Sequence, residues 1–230
     1  MKSFLRKTVY NILTSLMNRE KLLFLLSTEY VERVLLGFKR ENYLYDIGWT
    51  NSIITGNVVD ASNNPLPWAT YPFIQFVGER LKSTHDVFEF GSGNSTLFYA
   101  KKVGSVTSVD HDLFWYDKIK NSMPSNVNLF YCEFSEDGNY CNYVSKTNKL
   151  YDMIIVDGMD RVNCCINNIG ALKQNGVMIL DDSERDEYDE ATTFLVKKGF
   201  KRIDFWGTAP TVYYLKCTTI FYRDSNCLGI

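Results

Sequence analysis

The sequence predicts an α/β fold: a doubly wound, mostly parallel sheet of seven strands, preceded by an N-terminal helical extension. Three observations predict it. After Ser83, short apolar runs alternate with helical stretches; a Gly-Ser-Gly turn joins the first run to a helix; and the chain ends on two strand-like runs in succession. Strands buried on both faces read as continuous apolar segments, and parallel neighbours need a crossover connection, usually helical, between them.

Taken in order, residues 1–38 are expected to be helical. Leu5, Val9, Ile12, Leu13 and Leu16 recur at the 3.6-residue period, and Tyr30, Val31, Val34, Leu35 and Phe38 resume it. Lys2, Arg6 and Lys7 give this segment an early basic face, which suits either peripheral contact with an anionic membrane or packing as a lid or homodimer contact. Glu20, Glu29 and Glu32 dilute that face and favour packing. From Gly48 to Tyr71 the chain turns to Asn, Gly, Ser and Pro and reads as a connecting loop, so residues 1–70 are expected as extension and loop and 71–230 as the main domain. A helix is expected from Tyr71 to Lys82, with Pro72 in its first turn. Strands are expected at Val87 to Phe90, Ser105 to Val109, Val127 to Tyr131, Met153 to Val156 and Val177 to Leu180. A helix at Glu187 to Lys198 then leads to Phe200 to Phe205 and Cys217 to Tyr222, which read as a hairpin closing the sheet edge.

Composition narrows the function classes. A chain of 230 residues builds one sizeable domain more readily than two independent cores. A formal net charge of -2 offers no general field for a polyanion, so nucleic acid is not an expected partner. The six cysteines form no CxxC pair and there are only two histidines, which argues against a structural zinc cluster and for reduced, packed thiols in a cytoplasmic protein. The best apolar run, Leu22 to Leu26, is far too short to span a bilayer.

The chemistry concentrates at Glu89-Phe90-Gly91-Ser92-Gly93-Asn94-Ser95-Thr96, which leaves a strand and opens a helix, so the backbone can approach a ligand where the glycines lack side chains. Nineteen residues after Gly91, at the end of the second strand, Asp110 is placed to accept ribose hydroxyls. Together they imply an adenosine-type ligand. Thr96 stands where a dinucleotide fold has its third glycine, and Glu89 would repel a pyrophosphate while suiting a cationic amino group. His111, beside Asp110, either touches the ligand or serves as a surface or capping residue.

A second acidic set, Asp157-Gly158-Met159-Asp160-Arg161 and Asp181-Asp182, lies at the carboxyl ends of the fourth and fifth strands. Such ends converge on the ligand crevice of open α/β sheets, although acids there also cap helices. Trp49, Trp68, Trp206 and the Tyr213-Tyr214 pair are candidates for an acceptor-stacking wall, with core packing as the competing role.

The Glu-x-Gly-x-Gly run, the acid after the second strand and the terminal strand pair resemble the class I S-adenosylmethionine-dependent methyltransferases, from Tyr71 to Tyr222. The resemblance implies a strand order 3-2-1-4-5-7-6 with the last strand antiparallel, and S-adenosylmethionine as cofactor. By position, Glu89, Gly91 and Gly93 would line its methionine end, with Ser92, Asn94 and Ser95 in the same turn; Asp110 and His111 would stand at the ribose, and Glu133 at the adenine. Resemblance to catechol-type and macrocin-type O-methyltransferases further implies Asp157, Asp181 and Asp182 as ligands of a magnesium ion, or, without metal, Asp157 as the catalytic base. The expected function is O-methylation of a small-molecule or glycan-like acceptor. The rivals are an NAD-dependent oxidoreductase or nucleotide-sugar enzyme, and a non-catalytic adenosylmethionine-binding module.

Overall fold

The computed structural model describes residues 42–230. The helices expected over residues 1–38, with the membrane or homodimer contact assigned to them, lie outside the described residues. Two short helices, α1 (Tyr43–Asp46) and α2 (Trp49–Thr55), precede α3 (Tyr71–Gly78). Then follow β1 (Asp86–Phe90), α4 (Asn94–Ala100), β2 (Ser105–Asp110), α5 (Leu113–Ile119), β3 (Val127–Tyr131), β4 (Tyr151–Val156), α6 (Arg161–Asn167), β5 (Leu172–Asp181), α7 (Asp189–Lys197), β6 (Lys201–Gly207) and β7 (Lys216–Tyr222). The seven strands form one sheet in the order β3-β2-β1-β4-β5-β7-β6, the order the resemblance implies. Strands β1 to β5 run parallel, and β7 is antiparallel to both β5 and β6.

Alternation along the central strands divides the core into two layers. Val87, Met153, Ile155, Val177 and Ile179 face one side, where Phe73, Ile74 and Val77 of α3 and Phe98 and Tyr99 of α4 cover them. Phe88, Ile154, Val156, Met178 and Leu180 face the other, against Cys164 and Cys165 of α6 and Ala191 and Leu195 of α7. Both faces are therefore dry, which is why the strands read as unbroken apolar runs.

The stretch from Gly48 to Tyr71 is more ordered than a connecting loop. Gly48 (φ 86) and Gly56 (φ 68) bracket α2 in left-handed conformations, so the glycines that signal a loop here cap a helix. Asp60 Oδ1 accepts from the backbone N–H groups of Ser62 and Asn64, both at 2.8 Å, and closes the following turn. Leu66 and Ala69 are buried in the α3 side of the core, and Trp49 packs against it. Helix α3 stops at Gly78, short of the expected Lys82. No helix among the described residues is long and apolar enough to cross a membrane.

At the amino ends of the strands a charged network joins the sheet's first residues. Asp86 accepts from Ser105 Oγ at 2.6 Å, Lys149 Nζ at 2.7 Å and Lys173 Nζ at 3.1 Å, and Lys173 also reaches Asp152 at 2.8 Å. Burial alone would raise the Asp86 pKa, but Lys149, Ser105 and Lys173 outweigh it and hold the carboxyl at about 2 against an ordinary 3.8. A depressed folded-state pKa stabilises the protein above the unfolded-state value and loses that contribution as pH falls through the folded-state one. Denaturant titrations should therefore show a loss of about 1–2 kcal/mol between pH 4 and pH 2 that is absent in Asp86→Asn, itself less stable by a similar amount at neutral pH. Equal acid sensitivity of the two proteins would contradict this role.

Candidate functional site

A cleft of about 740 Å³ opens at the carboxyl ends of β1, β2, β4 and β5, where the strand order reverses direction between β1 and β4. Its wall includes Gly91 to Ser95, Asp110, His111, Asp157, Asp181 and Asp182, so the structure brings most of the sequence-predicted residues into one site.

The turn after β1 depends on two glycines. Gly93 (φ 147) occupies a region that residues with a side chain rarely adopt, and a Cβ there would lie 3.4 Å from the Trp115 ring. A Cβ on Gly91 (φ 103) would come within 3.5 Å of the Asp157 and Gly158 backbone. The Gly91 N–H donates to Val109 O at 2.9 Å and the Gly93 N–H to Thr96 Oγ1 at 3.0 Å. The glycines thus contribute a backbone path that other residues rarely adopt; their own donors are committed to the fold. Trp115, which sequence reading missed, donates Nε1–H to Ser92 O at 2.9 Å and fixes the outer side of the turn.

Two expected site residues are not on this wall. Glu89 is 1% exposed, and its Oε2 accepts from Thr96 Oγ1 at 2.6 Å and Ser108 Oγ at 2.8 Å, beneath the turn. Burial raises its pKa against these hydrogen bonds, and its Oε1 has no hydrogen-bond partner. Glu89 thus braces the turn through Thr96 and does not line the cleft. Glu133 is exposed and likewise absent from the lining, because the chain leaves the sheet edge after β3.

Asp110 is buried at the end of β2. Its Oδ2 accepts from Ser92 Oγ and its Oδ1 from the Asp112 N–H at 2.9 Å, and Asp112 in turn caps α5 by accepting from Trp115 N–H at 3.0 Å. Each carboxylate oxygen retains acceptor capacity beyond these bonds. His111 Nδ1 is buried, has no hydrogen-bond partner and lies 3.7 Å from Asp110 Oδ1.

The second acidic set meets cations from the chain itself. Lys216 Nζ lies 2.7 Å from Asp181 Oδ2 and 2.7 Å from Asp182 Oδ1. Asp181 Oδ1 accepts from Thr218 Oγ1 at 2.6 Å, and Asp182 Oδ2 meets Arg185 at 2.8 Å and Arg161 at 3.2 Å. Arg161 also reaches Asp157 Oδ1 at 3.2 Å and donates to the Asp181 carbonyl at 2.6 Å. This corrects the magnesium reading of Asp157, Asp181 and Asp182. Ammonium and guanidinium groups already stand against these carboxylates and supply the positive charge a metal would bring, and no three His, Cys, Asp or Glu residues among the described ones form a metal-holding group. Burial opposes charge on Asp182, yet Lys216, Arg161 and Arg185 hold its pKa below the ordinary range. Asp157 differs: its side chain is 26% exposed, and its pKa is raised well above the usual carboxylate value, by burial first and by Asp181 next.

Sequence reading missed Lys216 altogether, since a lysine opening an apolar strand carries no local sign of its partner. Arg161 was in view, four residues after Asp157, without its role. Of the aromatic candidates, Trp68 (54% exposed) and Tyr214 (61%) line the cleft mouth. Trp49 supports the same loop from behind by donating to Val212 O at 2.8 Å and packing edge-on to Tyr213, whereas Trp206 lies on edge strand β6, off the cleft wall. The six cysteines are free, and burial pushes Cys141 up to about 11 and Cys165 up to about 12, which leaves both as packed thiols.

Removing Arg161 would strand partly buried carboxylates at two strand ends. Arg161→Ala should cost about 3 kcal/mol in denaturant unfolding, and Arg161→Lys should recover part of the loss. A change below about 0.5 kcal/mol, typical of an ordinary surface substitution, would contradict the bridging role.

No family model and no curated protein sequence matches the chain. Solved structures do match it. A proposed caffeoyl-CoA O-methyltransferase from Staphylococcus aureus superposes with TM-score 0.55 at 13% identity, over 85% of this chain and 98% of its own. Precorrin-6y C5,15-methyltransferase from Geobacter metallireducens gives TM-score 0.51 at 15% identity, over 67% of this chain and 88% of its own. At such identities the likeness is one of fold, and the chain has the seven-stranded Rossmann-like fold of these methyltransferases.

Proposed function

We propose that the chain is an S-adenosylmethionine-dependent methyltransferase acting on a hydroxyl of a small, ring-bearing acceptor such as a sugar. The observation that carries the reading is one cleft that the turn holding Gly91 and Gly93 shares with Asp110 and the partly exposed carboxyl of Asp157. The open turn supports a cofactor that must approach the backbone, and the remaining acceptor capacity of Asp110 supports a ribose with two hydroxyls. The unpartnered Nδ1 of His111 offers a further polar contact beside Asp110. Thr96, buried and bonded to Glu89, fills the place where a dinucleotide fold needs a glycine, which weighs against the NAD reading.

When bound, adenosylmethionine supplies an electrophilic methyl group on its sulfonium. The protein's part is to align the acceptor and take its proton. Trp68 and Tyr214 present exposed aromatic faces at the mouth, suited to stacking a ring, while Arg161 holds Asp157 in place at the cleft floor. The proton leaves the acceptor hydroxyl for an Asp157 carboxylate oxygen, and a pKa raised above the usual carboxylate value by burial and Asp181 makes that carboxylate a stronger base than an exposed aspartate.

Calorimetry with adenosylmethionine, adenosylhomocysteine and NAD tests the reading. The two adenosyl ligands should bind and NAD should not, and Asp110→Ala should weaken binding by about 1–3 kcal/mol. Unchanged affinity in a folded Asp110→Ala protein would contradict the assignment. With a competent sugar or phenol, transfer of labelled methyl should rise with pH through an inflection above the ordinary 3.8 of aspartate, because the base must lose its proton to act. Asp157→Asn should abolish turnover and keep cofactor binding. Cofactor binding without transfer to any acceptor would favour the non-catalytic module.

A further inference from the structure

We propose that the ammonium of Lys216 is a built-in cation of the cleft, standing between Asp181 and Asp182 where two adjacent carboxylates would otherwise hold a divalent ion, so that this site takes up no metal. An ammonium has three N–H donors, and Lys216 meets three oxygens: Asp181 Oδ2 and Asp182 Oδ1 at 2.7 Å each and the Trp68 carbonyl at 3.1 Å. The group is buried, so these contacts replace its hydration shell. Asp182 sits at φ 53, an uncommon conformation for a residue with a side chain, and in it one carboxylate oxygen meets Lys216 while the other meets Arg185.

The arrangement follows from topology. Because β7 is antiparallel to β5, Lys216 at its start comes beside Asp181 at the end of β5. Two consequences separate this cation from a metal ion. A hydrated magnesium ion keeps exchangeable positions that can receive a substrate oxygen, whereas a lysine with three protein acceptors has none to offer. Through the Trp68 carbonyl, the same ammonium also fastens the segment carrying the aromatic mouth to the sheet. The cation site stands on this geometry alone. Its consequence, that acceptor deprotonation falls to Asp157, rests on the methyltransferase reading.

The test is a titration with Mn2+, followed by the paramagnetic resonance of the free ion, on the native full-length protein and on Lys216→Ala, Lys216→Arg and the double variant Lys216→Ala with Asp181→Asn. Native protein and Lys216→Arg should take up no Mn2+ at millimolar concentration. Lys216→Ala should bind it roughly tenfold or more tightly than native, and the double variant should lose that gain. A merely structural lysine would lower stability without creating a metal site. Uptake of Mn2+ by the native protein, or a folded Lys216→Ala with no uptake, would overturn the proposal. If circular dichroism shows Lys216→Ala to be unfolded, Lys216→Gln replaces it under the same criteria. Adenosylmethionine binding, measured separately by calorimetry, can fail without affecting this result.

Discussion

The cleft depends on charge neutralisation among Asp157, Asp181, Asp182, Arg161 and Lys216. A parallel sheet delivers the ends of β4 and β5 to the same place, and here those ends carry carboxylates that would repel one another in a dry environment. The antiparallel β7 supplies one answer by bringing Lys216 to the carboxyl end of β5, and the first turn of α6 supplies the other in Arg161. Removing one member of such a buried set is more costly than its pairwise contacts suggest, because the remaining charges lose their partners. The same contacts join β4, β5, β7 and the Trp68 segment, so they shape the cleft's mouth as well as its floor.

At the turn after β1 the constraint is backbone conformation. Gly91 (φ 103) and Gly93 (φ 147) give the turn after β1 its path past Gly158 and Trp115, and a Cβ on Gly158 would collide with the Tyr140 hydroxyl. Glu89 supports the turn from below, bonding Thr96, whose hydroxyl oxygen accepts the Gly93 N–H. The result is a wall of small residues, Gly91 to Ser95, beside Asp110 in the same cleft as the acid cluster. A wall of small residues and a charged floor thus meet in one cleft, and the proposed chemistry draws on both.

Most of the fold was legible because its signals are local. Continuous apolar strands such as Met153 to Val156 report burial on both faces, and Pro72 marks the start of α3. The helix at Trp49–Thr55 escaped notice because Gly48 and Gly56, read as loop formers, act as its caps. At the site, Gly91, Gly93 and Asp110 announced themselves through spacing along β1 and β2. The carboxylates of Asp181 and Asp182 were visible too, but their countercharge was not: Lys216 lies 35 residues from Asp181 in the chain, and only the strand order joins them. The resemblance that implied a metal matched the acids by position and carried no sign of their partners. Glu89 misled for a related reason, since a motif position does not reveal whether a side chain points into a cleft or beneath the turn that forms it.

Whether this cleft holds an adenosyl sulfonium cofactor is decided by native mass spectrometry of the protein with adenosylmethionine, adenosylhomocysteine and NAD in competition. The expected result is a one-to-one complex with an adenosyl ligand that excludes NAD and is lost in Gly93→Val, where a side chain at φ 147 would strain the turn. A stable complex with NAD, or no complex with either adenosyl ligand at saturating concentration, would contradict it.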